Sequence, residues 1–151
     1  MLQPRIEKPE NMLKLDDSDY EWSFQKSDGE VLHFTDYKGQ VVFLNFWASY
    51  CPSCIAEFAS INNLYREYKN EVKFLLITSE SPSKVHSFLQ NEQYDIPFYL
   101  TYGNLPEKLD HHLIPATYII DREGNLILHK VGSARWDGKR VKELLDNRLN
   151  P

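Results

Sequence analysis

Cysteine is scarce in this chain of 151 residues: there are two, and they stand in a single Cys51-Pro52-Ser53-Cys54. A small domain stapled by disulfides would need more of them, spread along the sequence. A bridge across so short a loop adds little chain-entropy stabilisation, so the pair suits switching better than stapling. Long apolar runs are missing too. The longest, Val41–Trp47 and Val72–Thr78, are strand-sized and cannot span a bilayer. The start, Met1–Asp17, is polar, contains Pro4 and Pro9, and has no apolar h-region of a signal peptide. The expectation is either a cytoplasmic protein or one whose leader or anchor lies outside this sequence. Basic charge is not in excess: the formal net charge is −5, which argues against nucleic acid or an anionic membrane as the main partner. Repeats are absent as well, and the length suits one compact domain.

Residues 1–18 read as a mobile arm, and 19–151 as a single domain. Tyr20–Phe24 and Val31–Phe34 form a hairpin around the turn signal Asp28-Gly29. Val41–Trp47 is apolar and β-branched at first, without polar alternation until Asn45, the pattern of a central strand covered on both faces. A helical pattern runs from the cysteines to about Lys69. Cys54, Phe58, Ile61, Tyr65 and Tyr68 recur on one stripe, so Cys54 faces the core while Cys51 sits at the helix mouth. Val72–Thr78 is a second buried strand, Pro82–Gln93 a helix capped by Ser81, Ile96–Leu100 a short strand, and 105–112 a helical turn. Ala116–Asp121 and Leu126–Val131 pair around Asp121-Arg122-Glu123-Gly124. The last helix starts near Asp137 as N-cap, with Trp136 and Val141 as a hydrophobic staple. This order predicts an α/β sandwich on a mixed sheet.

A thiol attacks a disulfide as thiolate, so its pKa must fall toward ambient pH. Free backbone N–H groups at a helix N-terminus favour negative charge there. Pro52 suits the first turn, having no N–H to leave unpaired. Cys51 is thus placed for attack and Cys54 for resolving a mixed disulfide. A zinc site would need two further Cys or His ligands. There is no third cysteine, and His111 and His112 are adjacent and distant along the chain. The five histidines show no catalytic spacing and read as surface or packing residues. An inert buried cysteine pair is the other plain alternative.

The segment Phe43-Leu44-Asn45-Phe46-Trp47-Ala48-Ser49-Tyr50-Cys51-Pro52-Ser53-Cys54 resembles the active-site segment of thioredoxin-like proteins. It is most similar to the TlpA/ResA/DsbE branch of bacterial thiol–disulfide oxidoreductases. Ile114-Pro115-Ala116-Thr117-Tyr118-Ile119-Ile120-Asp121 with Gly124 resembles that branch's second signature, and the likeness spans roughly residues 20–150. It implies a thioredoxin fold: a central mixed sheet flanked by helices, with an N-terminal β-hairpin and a central helix–strand insertion.

The resemblance further implies that Pro115 is cis and lies beside the cysteines, and that the backbone of Ile114 pairs with substrate like an added strand. The plain alternative for Pro115 is an ordinary trans proline opening a strand. Asn45 stands where plain thioredoxins carry a buried Asp, and Asn cannot take the proton of the buried thiol. The branch places a Glu at the offset of Glu57, where it tunes the cysteines and relays protons. A first-turn Glu serving the helix dipole is the alternative. Trp47 resembles the family Trp packed under the site. Tyr50 replaces the usual Trp before the first Cys and, with Pro52, is a candidate to line the docking surface; it can also be read as a plain exposed aromatic.

The implied activity is dithiol–disulfide exchange with protein partners, with an upstream electron donor and no cofactor or metal beyond the redox-active pair. The branch favours a monomeric reductant in the bacterial periplasm or another extracytoplasmic space, in cytochrome c maturation. Two alternatives share the fold. A copper carrier would hold Cu(I) on two thiolates, but relatives that do so have a longer Cys spacing and an added His. A peroxiredoxin-like peroxidase would place Pro and Thr upstream of the attacking Cys, and residues 44–50 contain neither.

Overall fold

The computed structural model describes residues 1–6 and 8–151. The strands are β1 (Ser23–Gln25), β2 (Val31–His33), β3 (Val41–Trp47), β4 (Val72–Thr78), β5 (Phe98–Tyr102), β6 (Ala116–Ile120) and β7 (Leu126–Val131). The helices are α1 (Pro52–Ala56), α2 (Phe58–Tyr68), α3 (Pro82–Gln90) and α4 (Lys139–Leu149). One sheet runs in the order β2-β1-β5-β4-β3-β6-β7. The pairs β3–β4 and β4–β5 are parallel, and the other neighbours are antiparallel. The mixed α/β sheet expected from the element order is present, with the hairpin at one edge and α3–β5 inserted before β6.

Burial follows the two-residue period of β3. Val41, Phe43 and Trp47 join one core cluster with Phe58, Ile61, Leu64 and Tyr68 of α2, Val85 of α3, and Val141 and Leu145 of α4. Val42, Leu44 and Phe46 point the other way, into a cluster with Leu15, Tyr20, Trp22, Phe24, Phe34 and Leu109. The helices thus bury their apolar stripes on one face. The other face is covered by the chain before β1, the hairpin aromatics and a 3-10 turn at Glu107–Leu109. In that layer the rings of Trp22 and Phe34 stack with centroids 4.5 Å apart.

Several element bounds differ from the sequence expectation. Asp17–Tyr20 is a 3-10 turn, capped reciprocally by Asp16 and Asp19, so the first strand begins only at Ser23. The third helix stops at Gln90 instead of Gln93. The next strand starts at Phe98, after Pro97, which has no N–H for a ladder. The last helix is capped by Gly138, not Asp137, so Trp136 and Val141 do not form the expected staple. Trp136 turns inward instead, where it is fully buried.

Within the segment 1–18, expected as a mobile arm, several of the described residues contact the domain. Leu15 is buried, its N–H donates to Gly124 O at 2.8 Å, and Leu126 N–H donates to Leu13 O at 2.8 Å. Gly124 has φ +87°, and a Cβ there would stand 3.1 Å from Leu15 O, so the turn needs glycine for both conformation and close approach. Nearer the start, Arg135 N–H donates to Leu2 O and Arg140 N–H to the side chain of Gln3.

Candidate active site

β3 ends at Trp47, and four residues later Cys51 caps α1. Cys51 is in extended conformation (φ −106°, ψ 102°), and Pro52 occupies the first helical position. Cys51 and Cys54 are joined as a disulfide with Cα atoms 5.3 Å apart. Exposure is graded across the pair: Cys51 is 8% exposed and Cys54 0%. Cys54 N–H points at Cys51 Sγ at 3.2 Å, and Ser53 Oγ lies 3.5 Å from the same sulfur. A thiolate formed at Cys51 would therefore meet a backbone donor at the helix N-terminus, while Cys54 stays out of water.

Pro115 follows a cis bond from Ile114. The register Phe46↔Ala116 sets Pro115 level with Trp47, at the edge of β3 from which the cysteine loop departs. Pro115 is buried, Ile114 half-buried, and Pro52 exposed. Among the described residues the Ile114 backbone makes no hydrogen bond within the chain. Tyr50 is 72% exposed and Leu113 67%, which adds apolar surface to the loops of the site. Trp47 lies beneath, edge-on to Phe58 at 5.1 Å and close to Phe98 at 4.9 Å.

The helical pattern expected as one segment breaks at Glu57, which ends α1 and caps α2. Its side chain is fully buried. Oε2 accepts from Trp136 Nε1 at 2.9 Å and from Ala134 N at 3.0 Å. Oε1 accepts from Asn45 Nδ2 at 3.0 Å, and the same amide donates to Thr117 Oγ1 at 2.8 Å. Burial pushes the carboxyl up to about 7, against the pull of the bonds from Trp136, Ala134 and Asn45 and the charge of Lys130. The dipole-serving alternative does not describe this arrangement, since the side chain points into the core. Asn45 cannot titrate, but it orients a group that can.

Two partnerships have no local sign in the sequence. Trp136 serves Glu57 from the loop before α4. Ser49, in the link to Cys51, gives its N–H and its hydroxyl to Glu80. Among the described residues no group of three or more His, Cys, Asp or Glu is placed to hold a metal ion. Nor is any helix long and apolar enough to cross a membrane. His111, one of the adjacent pair, stacks on Phe46 at 4.2 Å.

The Redoxin family model matches residues 15–145. The chain belongs to the Redoxin family. This redoxin is 30% identical over 134 residues to the thiol–disulfide oxidoreductase ResA of Bacillus thuringiensis subsp. konkukian, covering 81% of this chain and 69% of the relative. It resembles the pneumococcal exposed lipoprotein thioredoxin of Streptococcus pneumoniae with a TM-score of 0.67 and 26% identity, over 81% of this chain and 98% of that one. StoA from Bacillus subtilis shares the fold, with a TM-score of 0.63 and 22% identity over 82% of this chain and 92% of that one. The redoxin is thus a thioredoxin-fold thiol–disulfide oxidoreductase of the ResA/DsbE/TlpA-like group, and its redox pair is Cys51–Cys54.

Proposed function

We propose that this redoxin works as a reductant of protein disulfides. Cys51 is the nucleophile, Cys54 the resolving thiol and Glu57 the proton carrier. The observation that carries this reading is the graded pair: Cys51 at the helix mouth with Cys54 N–H on its sulfur, and Cys54 fully buried behind it. The Cys51 thiolate attacks one sulfur of a partner's disulfide, and the partner's other sulfur leaves as thiolate. Cys54 gives its proton to Glu57, attacks Cys51 Sγ, and expels the second partner sulfur. The partner gains two electrons and the redoxin is left as the Cys51–Cys54 disulfide. A dithiol protein upstream then restores the reduced form.

Glu57 suits its role because a carboxyl near 7 can accept and return a proton around neutrality. Its Oε1 accepts one hydrogen bond, from Asn45, which leaves room for that proton. Tyr50 and Pro52 form one lip of the docking surface. Ile114, with its unpaired backbone, pairs with the partner's chain as an added strand, and Pro115 fixes that edge beside the cysteines. The likeness to an exposed lipoprotein thioredoxin supports an extracytoplasmic place. A monomeric reductant serving cytochrome c maturation, with the haem protein as a partner, is the reading carried by the sequence resemblance to the TlpA/ResA/DsbE branch.

The test is the reduction potential of the Cys51–Cys54 couple in dithiothreitol or glutathione buffers. The expected value is near or below about −250 mV. A value of about −120 to −180 mV would make the protein an oxidant or isomerase instead. Absence of a reversible two-electron couple would overturn the exchange mechanism.

A further inference from the structure

Glu80 lies two residues beyond β4, away from the disulfide in sequence, yet its carboxylate grips the link that carries Cys51. Ser49 N–H donates to Glu80 Oε1 at 2.7 Å, and Ser49 Oγ–H donates to Oε2 at 2.5 Å. Thr78 Oγ–H, at the buried end of β4, donates to Oε1 at 2.9 Å. The Ser49 N–H belongs to the Ala48–Ser49 peptide. The carbonyl of that same peptide accepts from Cys51 N–H at 3.2 Å.

One planar unit therefore has Glu80 at its N–H end and Cys51 at its C=O end. A peptide plane does not bend easily, so rotating the N–H away from Glu80 also turns the carbonyl away from Cys51. An ionised acceptor at one end also strengthens the bond at the other. Farther on, Cys51 Sγ reaches Cys54 N–H at 3.2 Å, and that contact depends on where the Cys51 backbone is held. We propose that Glu80 is a positioning residue for the nucleophile, setting Cys51 over the helix N-terminus through the Ala48–Ser49 peptide.

The carboxylate is suited to this. Burial pushes Glu80 up, but the bonds from Ser49 and Thr78 and the charge of Lys84 on α3 outweigh it and hold the group below its ordinary value. It is ionised at neutral pH, as a strong double acceptor must be. The same three donors tie the end of β4 to the loop after β3, so the anchor is the rigid sheet rather than another loop.

This proposal rests on Cys51 being the attacking thiol, and the experiment separates the two. Reduced wild type, Cys51→Ser and Glu80→Gln are titrated by thiolate absorbance. Their rates of attack on 5,5′-dithiobis(2-nitrobenzoate) are followed from pH 5 to 9. Loss of the low-pH thiolate in Cys51→Ser establishes the nucleophile; its survival there would refute the assignment of Cys51 itself.

In Glu80→Gln one acceptor oxygen becomes a donor, facing donors. The midpoint of Cys51 ionisation should rise by about one pH unit, with roughly threefold slower attack at pH 7, because the more basic thiolate regains part of what the smaller thiolate fraction costs. A carboxylate acting only through space would give the opposite sign, because removing a negative charge lowers a thiol's pKa. A midpoint that falls or stays put, with the rate within twofold of wild type, overturns the proposal. Should Glu80→Gln not fold, Glu80→Asp decides. It keeps the negative charge but draws the carboxylate back by one methylene, away from Ser49 N–H, so attack should slow by about threefold. An unchanged rate in that variant overturns the proposal too.

Discussion

Replacing Glu57 by glutamine removes a buried ionisable group while nearly keeping its shape, and the structure sets both sign and size of the effect. The folded carboxyl is pushed up to about 7, from an ordinary value of 4.5, mainly by burial. Between those pH values the folded chain holds a proton that the unfolded chain has released. Stability from this group is therefore complete below about 4.5, falls as pH rises, and is gone once pH passes the folded value near 7. At 1.36 kcal/mol per pH unit the loss amounts to roughly 3 kcal/mol. Glutamine has no such titration. Its oxygen can accept from Trp136 and Ala134, and its NH2 then faces Asn45, whose Oδ1 has no partner among the described residues. Rotation of the Asn45 amide satisfies that contact. Urea unfolding of the oxidised proteins from pH 4 to pH 8 keeps the thiols out of the titration, and the other groups cancel in the difference. The stability of Glu57→Gln relative to wild type should climb by about 3 kcal/mol across the range, or about 6–12 °C in Tm. Parallel curves, or a difference that shrinks with pH, would refute the burial argument. The same variant should resolve its mixed disulfide about 10²-fold or more slowly, the ordinary size of a lost proton carrier.

Two further substitutions probe the surroundings. Trp136→Phe removes the indole N–H from Glu57 Oε2, so the folded carboxyl rises further and the variant should lose more stability above pH 7 than at pH 5. The excess loss should be about 1.5–3 kcal/mol, the value of a hydrogen bond to a charged group, and equal losses at both pH values would show that only packing was disturbed. Leu15→Ala tests whether the chain before β1 is docked in solution as its 3% exposure indicates. It should cost about 2–4 kcal/mol and leave the reduction potential unchanged, whereas a cost under about 1 kcal/mol would mean that the segment spends much of its time undocked.

What could be read from the sequence was whatever repeats locally. The unbroken apolar run of β3 and the stripe through Cys54, Phe58 and Ile61 follow from side-chain periodicity, and both positions came out as expected. Cys-Pro-Ser-Cys between them places the redox pair at a helix mouth. Bounds went astray where polar residues leave no period. Asn91–Gln93 can extend a helix on propensity, but the chain leaves it at Gln90. Residues 1–18 look free because they are polar, though a single Leu15 over Gly124 is enough to seat part of that segment on the domain.

The polar architecture of the site was legible only in part, and for one physical reason. The offset of Glu57 from Cys54 shows that a carboxyl lies one turn from the thiols, but whether it is charged depends on what surrounds it. Two of its partners, Ala134 and Trp136, lie 77 and 79 residues along the chain. Trp136 carried a plausible local role as a staple, and that role hid the one it has. Glu80 looks like a loop residue, yet Ser49, 31 residues upstream, makes it the far end of the peptide that holds Cys51. Nucleophiles are found by spacing because a helix places them. The groups that tune them are held by tertiary contacts, each a single hydrogen bond between distant residues, and such contacts leave no pattern along the chain. Perturbing Glu57 and Glu80 separately therefore tests different things: the first asks how a buried proton is carried, the second how the attacking sulfur is aimed.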